Sequence, residues 1–388
     1  MDLTPEEETI LNGEEGESRQ LLMEILVGIG TVFGAEKMVP IRSAQVSGAS
    51  YKTIGEWGLE WLSGLHARAT VPAVLNPVGM DRVRWKEMGI DPAFAEKQHE
   101  VLNAYERLGI RLECTCTPYY IHITEYGDHL AWSESSAVAY ANSVIGARTN
   151  REGGPSALAA AIIGRTPCYG LHLVKNRQPE LCFAVEGVPG DADESWFGAL
   201  GYLAGKIAGN RIPLFTGIRP TRDQLKNLGA AMAATGATAL YHVRDITPEA
   251  RVFKFDTAGL ETVPVTAGDV GNVYSREEPD AIAIGCPHCS EDELNRIADY
   301  LKDCRVKKPL YIFAAREIIS RSARAVRVIE RSGAGVYADT CMVVSPALEQ
   351  YQSIMVSSGK ALAYVPNMCG ARSFIGTLKE CLETACRG

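Results

Sequence analysis

The sequence predicts an α/β protein of two or three lobes built on mostly parallel sheets. Apolar runs of strand length alternate with helical segments along most of the chain, the pattern of layered α/β architecture. Several polar, glycine-rich segments fall at the ends of the predicted strands, where open α/β sheets place their ligands. The 388 residues exceed what one small core organises and are enough to bury an active site.

The first helix opens with a capping box. Thr4 is the N-cap, Pro5 takes the first helical position and Glu7 reaches back to the cap amide, while the acidic first turn suits the helix dipole. A strand over TVPAVL follows, then a helix over 91–108 stopped by Gly109, then a strand over IRLECT. An Ala-rich helix begins after Pro155 and stops at Gly164. LCFAV reads as a strand, 196–207 as a helix, ATALYHV and AIAIG as strands and 291–301 as a helix. PLYIFAA and GVYADTCMVV complete the strands, and the last helix is expected from about Ser373. EGVPGDADES reads as a surface loop and GNRIPLFTGIRPT as a crossing between lobes. We place one boundary near residue 210, giving an N-terminal α/β region, 1–210, and a C-terminal one, 211–388.

Charge and composition exclude several classes of function. With 39 basic against 47 acidic residues, a net charge of −8, the chain is no polyanion binder, and nucleic acid is not expected as a partner. The acidic start MDLTPEEETILNGEEGE is not a signal peptide, and LLMEILVGIGTVFGA is too short and too interrupted by Glu24 and glycines to span a bilayer. We therefore expect no membrane association and a cytoplasmic location. There the eleven cysteines are expected to stay reduced, since an odd count without paired spacing is not a disulfide framework.

Seven polar, glycine-rich segments stand at strand ends, and three of them carry cysteine: CTCTPYY, GCPHC and ADTCMVVSP. Taken alone, GCPHC admits several readings. A zinc half-site on Cys286 and Cys289 needs two more ligands, and Cys114 and Cys116 are too closely spaced to be the usual second pair. A thioredoxin-like redox pair fits a C-x-x-C that precedes a helix. Both cysteines can equally be small buried hydrophobes. A fourth reading takes one thiolate from each of three loops, leaving a cluster iron with an open position for a hydroxy-acid substrate. Composition does not select among these.

The segments SAQVSGASYKTIG, CTPYY, HLAWSESSAVAYANSVIGARTNREGGPSALAAAIIGRTP, GCPHC, ADTC and SSGKALAYVP together resemble the aconitase X family. The resemblance runs through nearly the whole chain. It implies an aconitase-like fold, three-layer α/β/α lobes around a central cleft, and an iron-sulfur cluster with a separate small subunit carrying a swivelling domain. The implied ligands are Cys116, Cys286 and Cys341, with Cys289 a bystander and Cys114 the main competitor. The cofactor would be a 4Fe-4S cluster, isolated as 3Fe-4S once air removes the labile iron.

The implied activity is dehydration of a phosphorylated hydroxy acid, (R)-5-phosphomevalonate, to trans-anhydromevalonate 5-phosphate in a modified mevalonate pathway of isoprenoid biosynthesis, by a heterodimer. Other members of the family dehydrate cis-3-hydroxy-L-proline, which is the alternative. A non-catalytic zinc- or thiol-containing binding protein is the alternative of another class. For the substrate, Gly48, Ala49 and Ser50 offer a close-approach turn with a hydroxyl, and Asn76 and Pro77 begin a turn after a strand. Glu134, Ser135 and Ser136 open a helix, and Lys360 follows a Ser-Ser-Gly turn. Set against these roles, each serine can be a cap and the lysine a solvated side chain. Lys360, Ser135 and His129 are the catalytic candidates, His129 through a pair with Asp128 or a more distant carboxylate, with a satisfied core histidine as the alternative. Arg148 and Arg151 are reserve phosphate ligands, and His288 is a tuning or turn residue beside Cys286. The proton-abstracting base is expected on the small subunit.

Overall fold

The computed structural model describes residues 1–121, 124–275 and 277–387. The alternation seen in the sequence becomes three sheets, one after another along the chain, with all their strands parallel. The first runs in the order Arg111–Cys114, Ala73–Leu75, Ala44–Val46, Ala131–Trp132. The second runs Glu261–Thr266, Leu181–Glu186, Pro213–Thr216, His242–Val243. The third runs Gly335–Tyr337, Leu310–Ala314, Ala281–Cys289, Ser353–Val356, Arg372–Ile375. Met38–Pro40 and Arg165–Pro167 form a separate antiparallel pair.

Local chemistry explains the helices that cross between these strands. Thr4 and Glu7 form the expected capping box. The helix Pro92–Arg107 starts where the Asp91 carboxylate accepts from the amides of Ala93 and Phe94. Gly154–Ile163 is buried along nearly its whole length, so its alanines allow close packing, and it ends on Gly164 in the left-handed conformation at φ 82°. Its apolar side chains pack with those of Glu17–Val32 and the first sheet in one core. Fully buried Leu22, Leu26, Phe183 and Phe313 each contribute about 1.5–3 kcal/mol by leaving water.

Strand order decides where a ligand can sit. The first sheet reverses direction between Ala44–Val46 and Ala131–Trp132, and the third between Ala281–Cys289 and Ser353–Val356. A crevice opens at the carboxyl ends of the strands at such reversals. The loops that leave those strand ends carry Gly48 to Ser50 and Glu134 in the first lobe, and Cys286 and Lys360 in the third.

Several expectations are corrected. GNRIPLFTGIRPT is no crossing between lobes, because it holds Pro213–Thr216, an interior strand of the second sheet. A boundary at residue 210 would fall within that sheet, whose strands span 181–266, and the described elements group into three sheets rather than two regions. The last helix begins at Leu378, since Arg372–Ile375 pairs as an edge strand with Ser353–Val356. GVYADTCMVV stops being a strand after Tyr337. Not every cysteine is free: Cys304 and Cys386 form a disulfide that ties the last helix to the end of the helix Glu291–Leu301.

Candidate active site

Lys360 and Glu134 join the two crevices. Lys360 lies in the first turn of the helix Gly359–Cys369, whose N-cap Ser358 accepts from the Ala361 amide and donates to the carbonyl of Cys286. That helix starts hard against the helix Glu194–Ala208, where a β-carbon on Gly359 would overlap the Gly198 carbonyl. Only glycine allows the approach, which explains the Ser-Ser-Gly-Lys turn. The Lys360 ammonium donates to Glu134 Oε1 and, at 3.1 Å, to Ser136 Oγ. Lys360 is buried and Glu134 largely so, with side-chain exposures of 5% and 13%.

Burial alone would raise the Glu134 carboxyl, but the Lys360 charge and hydrogen bond, with help from Asn76, bring it down to about 2. Burial disfavours the Lys360 ammonium, and the Glu134 carboxylate outweighs it, so the lysine stays charged well above its ordinary value. Asn76 Nδ2 donates to Glu134 Oε2 at 2.7 Å, leaving Asn76 Oδ1 buried without a partner. Ser135 Oγ and Ser136 Oγ each lie 3.3 Å from Glu134 Oε1. The amide of Ser136 also points at that carboxylate, so the expected anion-binding helix start is occupied by the protein's own Glu134.

Gly48, Ala49 and Ser50 form the turn into the helix Tyr51–Ser63, with Gly48 at φ 77°. Ser50 is the N-cap residue yet makes no capping bond, and its hydroxyl lies 3.5 Å from the Val344 carbonyl. Pro77 leads into Val78, which pairs across the lobes with the cysteine loop: the Val78 amide donates to Asp339 O at 2.8 Å and the Cys341 amide to Val78 O at 2.9 Å. The Asn76–Pro77 turn and Cys341 are thereby fixed to each other.

The three expected thiols come together from separate loops. Cys116 lies just beyond the strand Arg111–Cys114, and Cys341 beyond Gly335–Tyr337. Cys286 sits in a bulge, because Ala281–Cys289 pairs with Leu310–Ala314 through Ile284, loses register, and resumes at Cys289. Cys116 and Cys286 are buried and Cys341 partly so, and burial pushes Cys116 up to about 12, Cys286 far above its usual value and Cys341 upward. The charge of Lys360 opposes these shifts at each thiol, while Cys116 and Cys341 add to the rise at Cys286. Among the described residues, no three His, Cys, Asp or Glu side chains close on a single metal-ion position. Cys114 instead packs in the first core, within the fields of Asp339 and Arg82, and Cys289 packs in the core of the third lobe.

His129 is not part of this group. It precedes the strand Ala131–Trp132 whereas Glu134 follows it, and five residues of extended chain carry about 16 Å. Its Nδ1 lies 2.8 Å from Nδ1 of His172, not against Asp128 as expected. Arg148 bridges to His129 at that same far end, and Arg151 is exposed. Two residues escaped the sequence reading. Gln45 donates to Thr115 O at 2.7 Å and accepts from the Glu134 amide at 3.2 Å; Gln98 bonds Ala49 O, the Tyr51 amide and the Gly79 amide. Their only signal is an amide side chain at a fully buried position. A cavity of about 790 Å³ lined by Tyr119, Tyr140, Arg222, Asp223, Ser290 and Arg296 contains neither Glu134 nor Lys360.

The parallel-sheet lobes with their crevices at the strand ends are the architecture of an aconitase-like α/β enzyme, as the structural likeness below bears out. More particularly, the chain belongs to the aconitase X family. It matches the models of the aconitase X first domain over residues 1–175, second domain over 179–275 and third domain over 279–387. It is 54% identical to the phosphomevalonate dehydratase large subunit of Methanosarcina mazei, over 100% of this chain and 98% of that one. It is 30% identical to the cis-3-hydroxy-L-proline dehydratase of Hypocrea jecorina, over 100% of this chain and 69% of that one. The crystal structure of Thermococcus kodakaraensis aconitase X in its holo-form superposes with a TM-score of 0.91 at 42% identity, covering 99% of this chain and all of that one.

Proposed function

We propose that the chain is the large, catalytic subunit of a hydro-lyase that dehydrates (R)-5-phosphomevalonate to trans-anhydromevalonate 5-phosphate. The observation that carries this reading is the contrast in similarity: 54% to a phosphomevalonate dehydratase large subunit over essentially both full lengths, against 30% to a hydroxyproline dehydratase. The name of that relative also supports a small partner subunit. No described helix is long and apolar enough to cross a membrane.

The donor set suits an iron-sulfur cluster held by Cys116, Cys286 and Cys341. The three thiols arrive from three loops, Cys116 and Cys286 buried and Cys341 partly so, and Cys116 Sγ accepts from the His288 amide at 3.2 Å. Thiolates are the ordinary ligands of iron-sulfur clusters. When bound, such a cluster supplies a Lewis-acidic iron to a leaving hydroxyl.

The protein's own groups do the remainder. Lys360 gives a substrate carboxylate or phosphate a fixed positive charge, which a protein of net charge −8 does not supply at long range. Glu134, kept ionised by Lys360 and Asn76, accepts a hydrogen bond from a substrate hydroxyl and holds its direction. Ser135 and Ser136 relay to that carboxylate, and Ser50, which makes no capping bond, turns its hydroxyl to the Val344 carbonyl at 3.5 Å. The family resemblance implies that the base that removes the carbon-bound proton lies on the small subunit. The test is turnover by the anaerobically reconstituted pair with each substrate. Loss of water from cis-3-hydroxy-L-proline but not from phosphomevalonate would overturn the assignment.

A further inference from the structure

The GCPHC bulge contains one group that the proposed function does not use. His288 is 1% exposed, and its ring reaches two other loops at once. Its Nε2 lies 2.8 Å from the carbonyl oxygen of Thr340 and its Nδ1 3.2 Å from the hydroxyl of Thr115. Thr340 immediately precedes Cys341, Thr115 immediately precedes Cys116, and His288 follows Cys286 by two residues. Its backbone amide donates to Cys116 Sγ at 3.2 Å. One side chain and its own amide therefore contact all three cysteine loops.

We infer that His288 is a positioning residue, a strut that sets the spacing of the three cysteine loops through the two contacts of its ring and the hydrogen bond of its amide. A carbonyl oxygen only accepts, so Nε2 carries the proton toward Thr340. With Nε2 turned to Thr340, Nδ1 faces the Thr115 hydroxyl, which can donate to it. The chain of bonds extends one step further: Thr115 Oγ1 accepts from the Thr117 amide at 3.0 Å and lies 3.0 Å from the Thr117 hydroxyl. The tie from Gln45 to the Thr115 carbonyl braces this loop from the first sheet. A rigid ring is suited to the task, because it places a donor and an acceptor at separate fixed positions. An amide side chain presents both from one end.

The inference rests on the proposed ligand set, and its test separates the two. In the metal-free protein, nitrogen-15 NMR of labelled histidine should show a proton on His288 Nε2 in slow exchange, held by the Thr340 carbonyl. A bare Nε2, or an Nε2 proton in fast exchange, would overturn the strut whether or not a cluster binds. In the anaerobically reconstituted chain, iron release to a chelator is measured for His288→Ala, Thr115→Val and Thr115→Ser, alongside the melting temperature of each metal-free variant. Outer partners of metal ligands typically change affinity by about 10–100-fold. His288→Ala and Thr115→Val should release iron faster by that factor, and Thr115→Ser, which keeps the hydroxyl, should match the parent. A folded His288→Ala that holds iron as firmly as the parent would overturn the inference. Should His288→Ala fail to fold, the Thr115 pair decides in the same way, equal release by Val and Ser counting against the strut. A parent that takes up no iron or sulfide refutes the ligand set, and the NMR result then decides the strut alone.

Discussion

Replacing Lys360 by alanine tests the electrostatics of the site. The substitution leaves the Glu134 carboxylate buried with only Asn76, Ser135 and Ser136 to solvate it. A carboxyl held at about 2 rather than 4.5 corresponds to about 3 kcal/mol of stability at neutral pH. Stripping one partner from a buried pair independently suggests about 3–5 kcal/mol. In the parent the folded carboxyl titrates below its unfolded value, so its contribution is present above pH 4.5 and is lost as pH falls toward 2. In Lys360→Ala the unopposed burial places the folded carboxyl above 4.5, so the deficit is greatest at neutral pH and narrows as pH falls toward 4.5. Urea denaturation of the metal-free chain at pH 7 and pH 5 measures both effects. The double variant Lys360→Met with Glu134→Gln, which removes both charges, should recover most of the loss. A deficit below about 1 kcal/mol at pH 7, or one equal at both pH values, would show that water reaches the pair and that the argument is wrong.

Other outcomes follow from the same geometry. In the reconstituted enzyme, Lys360→Ala should lower turnover by about ten- to hundredfold while the cluster spectrum is unchanged, and an altered spectrum would place the lysine on the cluster instead. Cys116→Ser, Cys286→Ser and Cys341→Ser should each lose iron and sulfide, whereas Cys289→Ser and Cys114→Ser should keep them; iron analysis reads the difference. Gly359→Ala should cost about 1–3 kcal/mol by forcing two helices apart, and should lower turnover by moving Lys360 with its helix. His129→Ala should leave turnover unchanged, and a large loss would mean that the far end of its strand takes part in the reaction. The chain without its small partner should hold a cluster yet turn over little substrate.

Local signals carried much of this into the sequence. The capping box at Thr4, Asp91 before Pro92, and Gly164 after an Ala-rich run announce helix ends because their bonds lie within a few residues. Fully buried parallel strands show as short apolar runs such as AIAIG. The cysteine loops were legible through family resemblance, whereas their mutual placement depends on strand order, which no local pattern encodes. His129 was misplaced for a related reason: HLAWSE looks like one polar-flanked segment, yet the strand within it sends its two ends to opposite edges of the sheet. Gln45 and Gln98 act through contacts 19 to 89 residues away in sequence, so only the folded chain reveals them. The second sheet was blurred because GNRIPLFTGIRPT, rich in turn residues, hides a four-residue strand.

The most direct measurement is proton NMR of substrate consumption by the chain and its small partner, purified and reconstituted without oxygen. The account predicts that (R)-5-phosphomevalonate loses water, that cis-3-hydroxy-L-proline does not, and that activity tracks iron and sulfide held through Cys116, Cys286 and Cys341. Stoichiometric zinc without iron or sulfide, or dehydration that persists in Cys286→Ser, would contradict it.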